Sequence, residues 1–187
     1  MPIRGQSTSR PPDRFTLTLK RALPTLATFL STDKIETIFM SKTVPTISSG
    51  VAGPLGVLHL PRFWQKVSLD AVGKLADGYP ACGAGYDQMV LDGLGLDKEA
   101  TLGYISSEKP SYTQLEAWIK QQAGAKLDAD SIKSLNDAIV GYNHDDETRK
   151  GILSSCGLPD DEAAFKDAVN LNNLDDWYEF HAAEIKG

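Results

Sequence analysis

The stretch "PRFWQKVSLDAVGKLADG", residues 61–78, decides the fold class. Phe63, Val67, Ala71 and Leu75 recur every four residues, and Trp64 and Val72 widen the stripe. This is the period of an amphipathic helix, not the alternation of a half-buried strand. Pro61 suits the first helical position, where a missing N–H costs nothing. Gly78 suits the left-handed position just past a helix end. The spacing therefore predicts a helix that begins at Pro61, stops before Gly78 and turns one face to a core. Each large residue on that face contributes about 1.5–3 kcal/mol on burial, before ordering entropy is subtracted.

Helix signals continue to the C-terminus. Asp87 is placed to cap a helix running to about Leu94, and Asp97 another to about Ile105. Ser111 and Gln114 have capping-box spacing, with Leu115, Trp118 and Ile119 on one face and Gly124 closing the segment. Asp128 or Asp130 opens a helix carrying Ile132, Leu135 and Ile139. Asp145 and Asp146 open one that ends near Gly157. Pro159 and Asp160 mark a further start, with Phe165 and Val169 expected inward, and a last helix begins near Leu174 with Trp177, Phe180 and Ile185 apolar. "GVLHL" (56–60) is a candidate short strand without a partner. The expectation is an all-α, compact orthogonal bundle of six to eight short helices over residues 51–187.

Residues 1–50 read differently. Up to Ser31 there are Arg4, Arg10, Arg14, Lys20 and Arg21 against one acid, Asp13, and four prolines interrupt any regular element. A flexible or loosely docked tail is expected, with 15–39 apolar enough for a strand or short helix on the body. An Arg- and Ser-rich transit peptide, or a true start at Met40, fits the same residues. A transit peptide implies an organelle; otherwise a cytoplasmic setting is expected.

The whole chain has 187 residues and a net charge of −6. That balance opposes general nucleic-acid binding, which needs a basic surface, and docking on an anionic membrane. Its two cysteines, Cys82 and Cys156, have no metal-ligand spacing and read as reduced thiols. No metal and no cofactor is expected. "NHDDETRK" (143–150) looks like a metal cluster, but four consecutive side chains diverge on a helix, and the run reads as a cap.

One region breaks a local rule. Arg62 and Lys66 lie four apart in the first turns of the helix after Pro61, opposing the helix dipole and each other. An acid delivered to them would resolve the conflict, either Asp87 from the following loop or an anionic ligand; two solvated basic chains are the plainer alternative. Cys82 lies in "GYPACGAGYDQMV" (78–90), where it is either a small residue closing a bend or a reactive thiol with Asp87 and His59 near it. The glycines at 83 and 85 are a poor phosphate cradle, because Asp87 would occupy the free N–H groups.

Taken in order, "LPR" (60–62), Lys66, "GYPACGAGYD" with Tyr79, Cys82 and Asp87, "GLD" (95–97), "EAWIK" (116–120) and "NLDDWYEF" (173–180) form a pattern. It resembles the bacterial family known as domain of unknown function 5069, over roughly Leu55 to the C-terminus. The resemblance implies a small helical domain of bacterial, cytoplasmic origin, and it implies no activity. The functional expectation is a binding or regulatory module, monomeric or a weak homodimer. Its site groups Arg62, Lys66, Tyr79, Cys82 and Asp87 and takes a small anionic ligand or a partner's acidic segment. The alternative is a small enzyme using Cys82 as nucleophile or redox thiol.

Overall fold

Seven α-helices follow one another in a computed structural model, which describes residues 41–186. The apolar segment 15–39 and the basic run before it lie outside the described residues. The helices are α1 (Leu60–Asp70), α2 (Tyr86–Leu94), α3 (Lys98–Glu108), α4 (Tyr112–Ile119), α5 (Ala129–Gly141), α6 (Asp146–Ser155) and α7 (Ala168–Phe180). A wider π-type turn, His181–Lys186, continues α7. Among the described residues there is no strand; "GVLHL" contributes only an isolated bridge, Leu58 to Ala52.

Aspartates start the helices because their short carboxylates accept the N–H groups that the first turn leaves unpaired. Asp97 accepts from the Ala100 N–H (2.7 Å), Asp128 from Ser131 (2.9 Å), Asp145 from Thr148 (2.8 Å) and Asp167 from Asn170 (2.8 Å). At α4, Gln114 Oε1 accepts from the Ser111 N–H (2.9 Å), as the capping-box spacing requires.

The core lies among α1, α2, α3, α4 and α5, with Ile105 of α3 fully buried in it. Leu60 and Phe63 of α1, Val90, Leu91 and Leu94 of α2, Leu115 and Ile119 of α4 and Ile139 of α5 are fully buried. Helix α2 packs chiefly on α5, α6 on α7, and α1 on α3.

Four expectations need correction. Helix α1 stops well before Gly78. Gly73, at φ 69°, takes the left-handed position, with Lys74 N–H on Leu69 O and Gly73 N–H on Asp70 O, both 2.8 Å. Leu75 is still buried, but through a bridge to Thr43, while Val72 is 49% exposed. No helix follows Pro159: the Asp161 carboxylate accepts from the Ala163 N–H at 2.9 Å, a turn that competes with a helical start, and Phe165 is exposed. The last helix begins at Ala168, one and a half turns earlier than expected. Trp177, Phe180 and Ile185 face outward. The packed body also begins before residue 51. Val44 and Pro45 are buried, Ser49 is fully so, and Thr43 bonds in both directions to the 74–76 segment.

Candidate functional site

His59, Arg62 and Lys66 recur at helical spacing at the start of α1, so they project from one face. All three are buried, His59 at 2%, Arg62 at 5% and Lys66 at 7% exposure, so the two cations are not solvated surface chains. Each meets an aspartate.

The first is Asp87. Gly85 takes the N-cap position of α2, which leaves Asp87 inside the first turn instead of capping it. Its carboxylate points inward and accepts three bonds: from His59 Nε2 (2.9 Å), from Lys66 Nζ (2.5 Å) and from the Gly83 N–H (2.6 Å). Burial works against this charge, but the His59 hydrogen bond and the Lys66 ammonium outweigh it and hold the carboxyl below its ordinary range. Because Asp87 accepts at Nε2, that nitrogen carries the proton and Nδ1 accepts from the Ser49 hydroxyl (3.0 Å). Burial lowers the imidazole's pKa despite Asp87, so the ring is neutral. Ser49, His59 and Asp87 therefore form a chain of the kind used to activate a hydroxyl, but Ser49 is fully buried and has no access to substrate. His59 also sits at φ 64°, in a region that disfavours side chains.

The second aspartate is Asp176, from α7. Arg62 grips it with two parallel bonds, Nη1 to Oδ2 (2.5 Å) and Nη2 to Oδ1 (2.8 Å), and Tyr79 donates to Oδ1 (3.1 Å). Arg62 Nη1 also donates to the Pro45 and Ile47 carbonyls, both at 3.0 Å. Burial pushes the Asp176 carboxyl up, against the pull of Arg62 and Tyr79. The acid that answers Arg62 is thus Asp176, not Asp87.

Above these two pairs opens a cleft of about 590 Å³. Its floor is His59, Arg62, Lys66 and Asp87. Tyr79 and Gly83 line one side, Tyr142, His144 and Thr148 another, and Asn172, Asp175, Asp176 and Glu179 of α7 a third. A row of ring contacts runs His59–Tyr86 (5.1 Å), Tyr86–Tyr142 (5.4 Å) and Tyr142–His144 (5.9 Å). His144 Nε2 pairs with Asn172 Oδ1 at 2.8 Å. Counting Asp77 at the rim, two cations face five carboxylates.

Of the five residues expected at a site, Arg62, Lys66, Tyr79 and Asp87 line this cleft and Cys82 does not. Cys82 is half-buried against the core. Burial and then Asp87 raise its pKa, outweighing Lys98 and Lys66. In "NHDDETRK", Asp145 caps α6 as read, while His144 turns into the cleft, which its sequence context does not announce. Asp175 and Asp176 carry no local signal beyond two adjacent acids before an aromatic. No protein-family model matches the chain, and no curated protein matches it at a significant level.

Proposed function

We propose that the protein is a binding or regulatory module whose small polar ligand occupies the cleft over Arg62, Lys66, Tyr79 and Asp87. One observation carries this: two buried ion pairs are held at the floor of an open cleft. Removing such charges from water costs several kcal/mol per ion, so buried pairs are a poor means of stabilising a fold. Arg62 and Asp176 hold each other bidentately, which fixes the floor in place. Lys66 has three N–H donors and gives one to Asp87; the other two have no protein partner among the described residues. A ligand acceptor fits them. The cleft also lies within the usual range for small-molecule sites, about 300–1,000 Å³.

Both cations are already matched by carboxylates, so a free anion would gain little charge compensation here. A neutral polar end that accepts from Lys66 suits the floor better. Catalysis by Cys82 has no comparable support, with its thiol outside the cleft and its proton held. Membership of the family known as domain of unknown function 5069 belongs to the same proposal, since residues from three of its motifs, Arg62 with Lys66, Tyr79 with Asp87, and Asp175 with Asp176, meet at this cleft. The resemblance alone supports a bacterial cytoplasmic setting; among the described residues no helix is long and apolar enough to cross a membrane.

The test is an NMR screen of simple anions, neutral polyols and organic cations. We expect at least one class to shift the His144 and Tyr79 signals saturably while leaving Trp118, stacked on Tyr104 away from the cleft, unmoved. Silence of His144 and Tyr79 to all three classes at millimolar concentration would falsify the reading.

A further inference from the structure

We infer that the ligand of the cleft is a neutral, hydroxyl-bearing ring of the sugar type, laid against the exposed ring of Tyr142 and donating one hydroxyl to Nδ1 of His144. Asn172 is the positioning residue that makes this nitrogen the acceptor. The inference rests on the cleft being a ligand site, and it names the chemistry of what enters.

Tyr142 and His144 stand on a short ledge between α5 and α6 that is fastened to the start of α7 at three points. The Tyr142 carbonyl accepts from the Ala168 N–H (3.0 Å), Asn143 bridges Asp167, and His144 Nε2 meets Asn172 Oδ1 at 2.8 Å. An amide oxygen only accepts, so Nε2 carries the proton, and in the neutral ring Nδ1 keeps its lone pair. No described residue hydrogen-bonds that nitrogen. A histidine whose only role was to tie the ledge to α7 would need one nitrogen; the second is spare, and the residue lines the cleft. Tyr142 is divided in the same way. It meets the buried Tyr86 ring at 5.4 Å and 62°, and the Tyr86 hydroxyl is itself fixed on the Ile139 carbonyl (2.9 Å), yet Tyr142 stays 40% exposed and lines the cleft. The row of rings that begins buried at His59 thus ends at the cleft wall. Groups held this firmly lose little freedom when a ligand arrives.

The walls select the class of ligand. Arg62 and Lys66 already face Asp176 and Asp87, and Asp175 and Glu179 add negative charge, so a phosphate or carboxylate gains nothing by entering. Among the described residues no group of three His, Cys, Asp or Glu side chains converges as metal ligands. Hydroxyls suit both sides of the cleft, because each donates one bond and accepts others. They donate to His144 Nδ1 and accept from donors at the floor. A closed sugar ring adds what an open chain lacks, a flat face of C–H groups to lie on the electron-rich face of an aromatic ring. An aromatic wall with a few placed polar groups is the usual make-up of a small-molecule site.

The experiment titrates the full chain with methyl glucoside and methyl galactoside, with sorbitol as an open-chain polyol, and with inorganic phosphate and putrescine. Binding is read by saturation-transfer NMR and by the His144 and Tyr142 signals, and long-range nitrogen–proton spectra read the imidazole tautomer. The expected result is a His144 ring protonated at Nε2 and saturable binding of at least one pyranoside, about ten-fold or more tighter than sorbitol. His144→Phe should weaken that binding about ten-fold, and His144→Asn, whose amide oxygen stands near the place of Nδ1, should recover part of the loss. Tyr142→Leu, which keeps an apolar cover on Tyr86, should weaken it by a similar factor. Asn172→Leu should weaken it and also mix the two tautomers of His144, a signature that lost packing alone does not give. Glu184→Gln, an exposed carboxylate on the closing turn, should leave it unchanged. The inference is overturned if His144 carries its proton on Nδ1, or if either His144→Phe or Tyr142→Leu binds the pyranoside as the parent does. It is overturned too if sorbitol, phosphate or putrescine binds as tightly as any pyranoside, an outcome that leaves the proposed binding site standing. A cleft silent to every probe would sink both.

Discussion

Asp87 collects bonds from His59 and Lys66 at the start of α1 and from the Gly83 N–H four residues before it, and that choice of partners settles what its neighbour Cys82 can do. With Lys66 committed to the carboxylate, one of the two cations that could have favoured a thiolate is neutralised nearby, and Lys98 does not offset the burial. Burial and the Asp87 charge then hold the thiol protonated above its ordinary range. Cys82 should therefore alkylate more slowly at neutral pH than free cysteine, as read by iodoacetamide labelling and mass spectrometry on the native protein. Labelling faster than free cysteine would restore the nucleophile reading. At this scale the sequence was half legible. Two cations at the start of a helix, against its dipole, suggested an acid or an anionic ligand, beside the plainer alternative of two solvated chains, and Asp87 was near enough in the chain to be named. Asp176 was not, because it lies 114 residues from Arg62 and nothing local links them.

Helix starts were the most legible elements, because an aspartate before an apolar stripe satisfies N–H groups through its own side chain. Helix ends and outward faces were less so. Gly73 and Gly78 both have positive φ, but only Gly73 closes α1, and that depends on carbonyls being left free one turn back. The segment after Pro159 carries a helix-start signal and forms a turn around Asp161 instead. Between elements, α2 and α5 approach closely where Gly93 faces Leu135. A Cβ at Gly93 would lie 2.7 Å from one Leu135 methyl and 2.9 Å from the other. Leu135 is buried, so its methyls give way only by repacking the α2–α5 contact. Gly93→Ala should thus wedge α2 from α5 and cost about 1–3 kcal/mol in chemical denaturation, despite alanine's better helix propensity. Adding Leu135→Ala should recover part of that loss if contact is the cause. A Gly93→Ala protein as stable as the parent would show that the leucine moves aside freely.

At the scale of the whole body, the all-helical class follows from the 3.6-residue period alone, whereas the cleft exists only because the 77–87 segment, the 142–152 segment and the end of α7 close on the same face of α1. That convergence places a neutral histidine at the junction, and its titration should report on global stability. His59 has its pKa lowered from the ordinary 6.5, first by burial. Below 6.5 the unfolded chain takes up a proton at this ring and the native protein does not, so stability falls as pH drops from 6.5 toward the folded value. Asp87, held low, adds a loss of the same sign at more acidic pH. Asp175 and Asp176 are raised and act oppositely, favouring the native state as they protonate. A variant comparison separates these terms. His59→Asn suits the left-handed backbone but cannot titrate. It should be less stable than the parent near neutrality, and the gap should narrow as pH falls below about 6.5. For a body of this size each kcal/mol amounts to about 2–4 °C in melting temperature, so scans at half-unit pH steps resolve the trend. A gap that stays constant from pH 5 to pH 7.5, about a full titration on either side of 6.5, would mean that His59 is as freely protonated in the folded protein as in the unfolded chain. The buried relay between Ser49 and Asp87 would then be wrong.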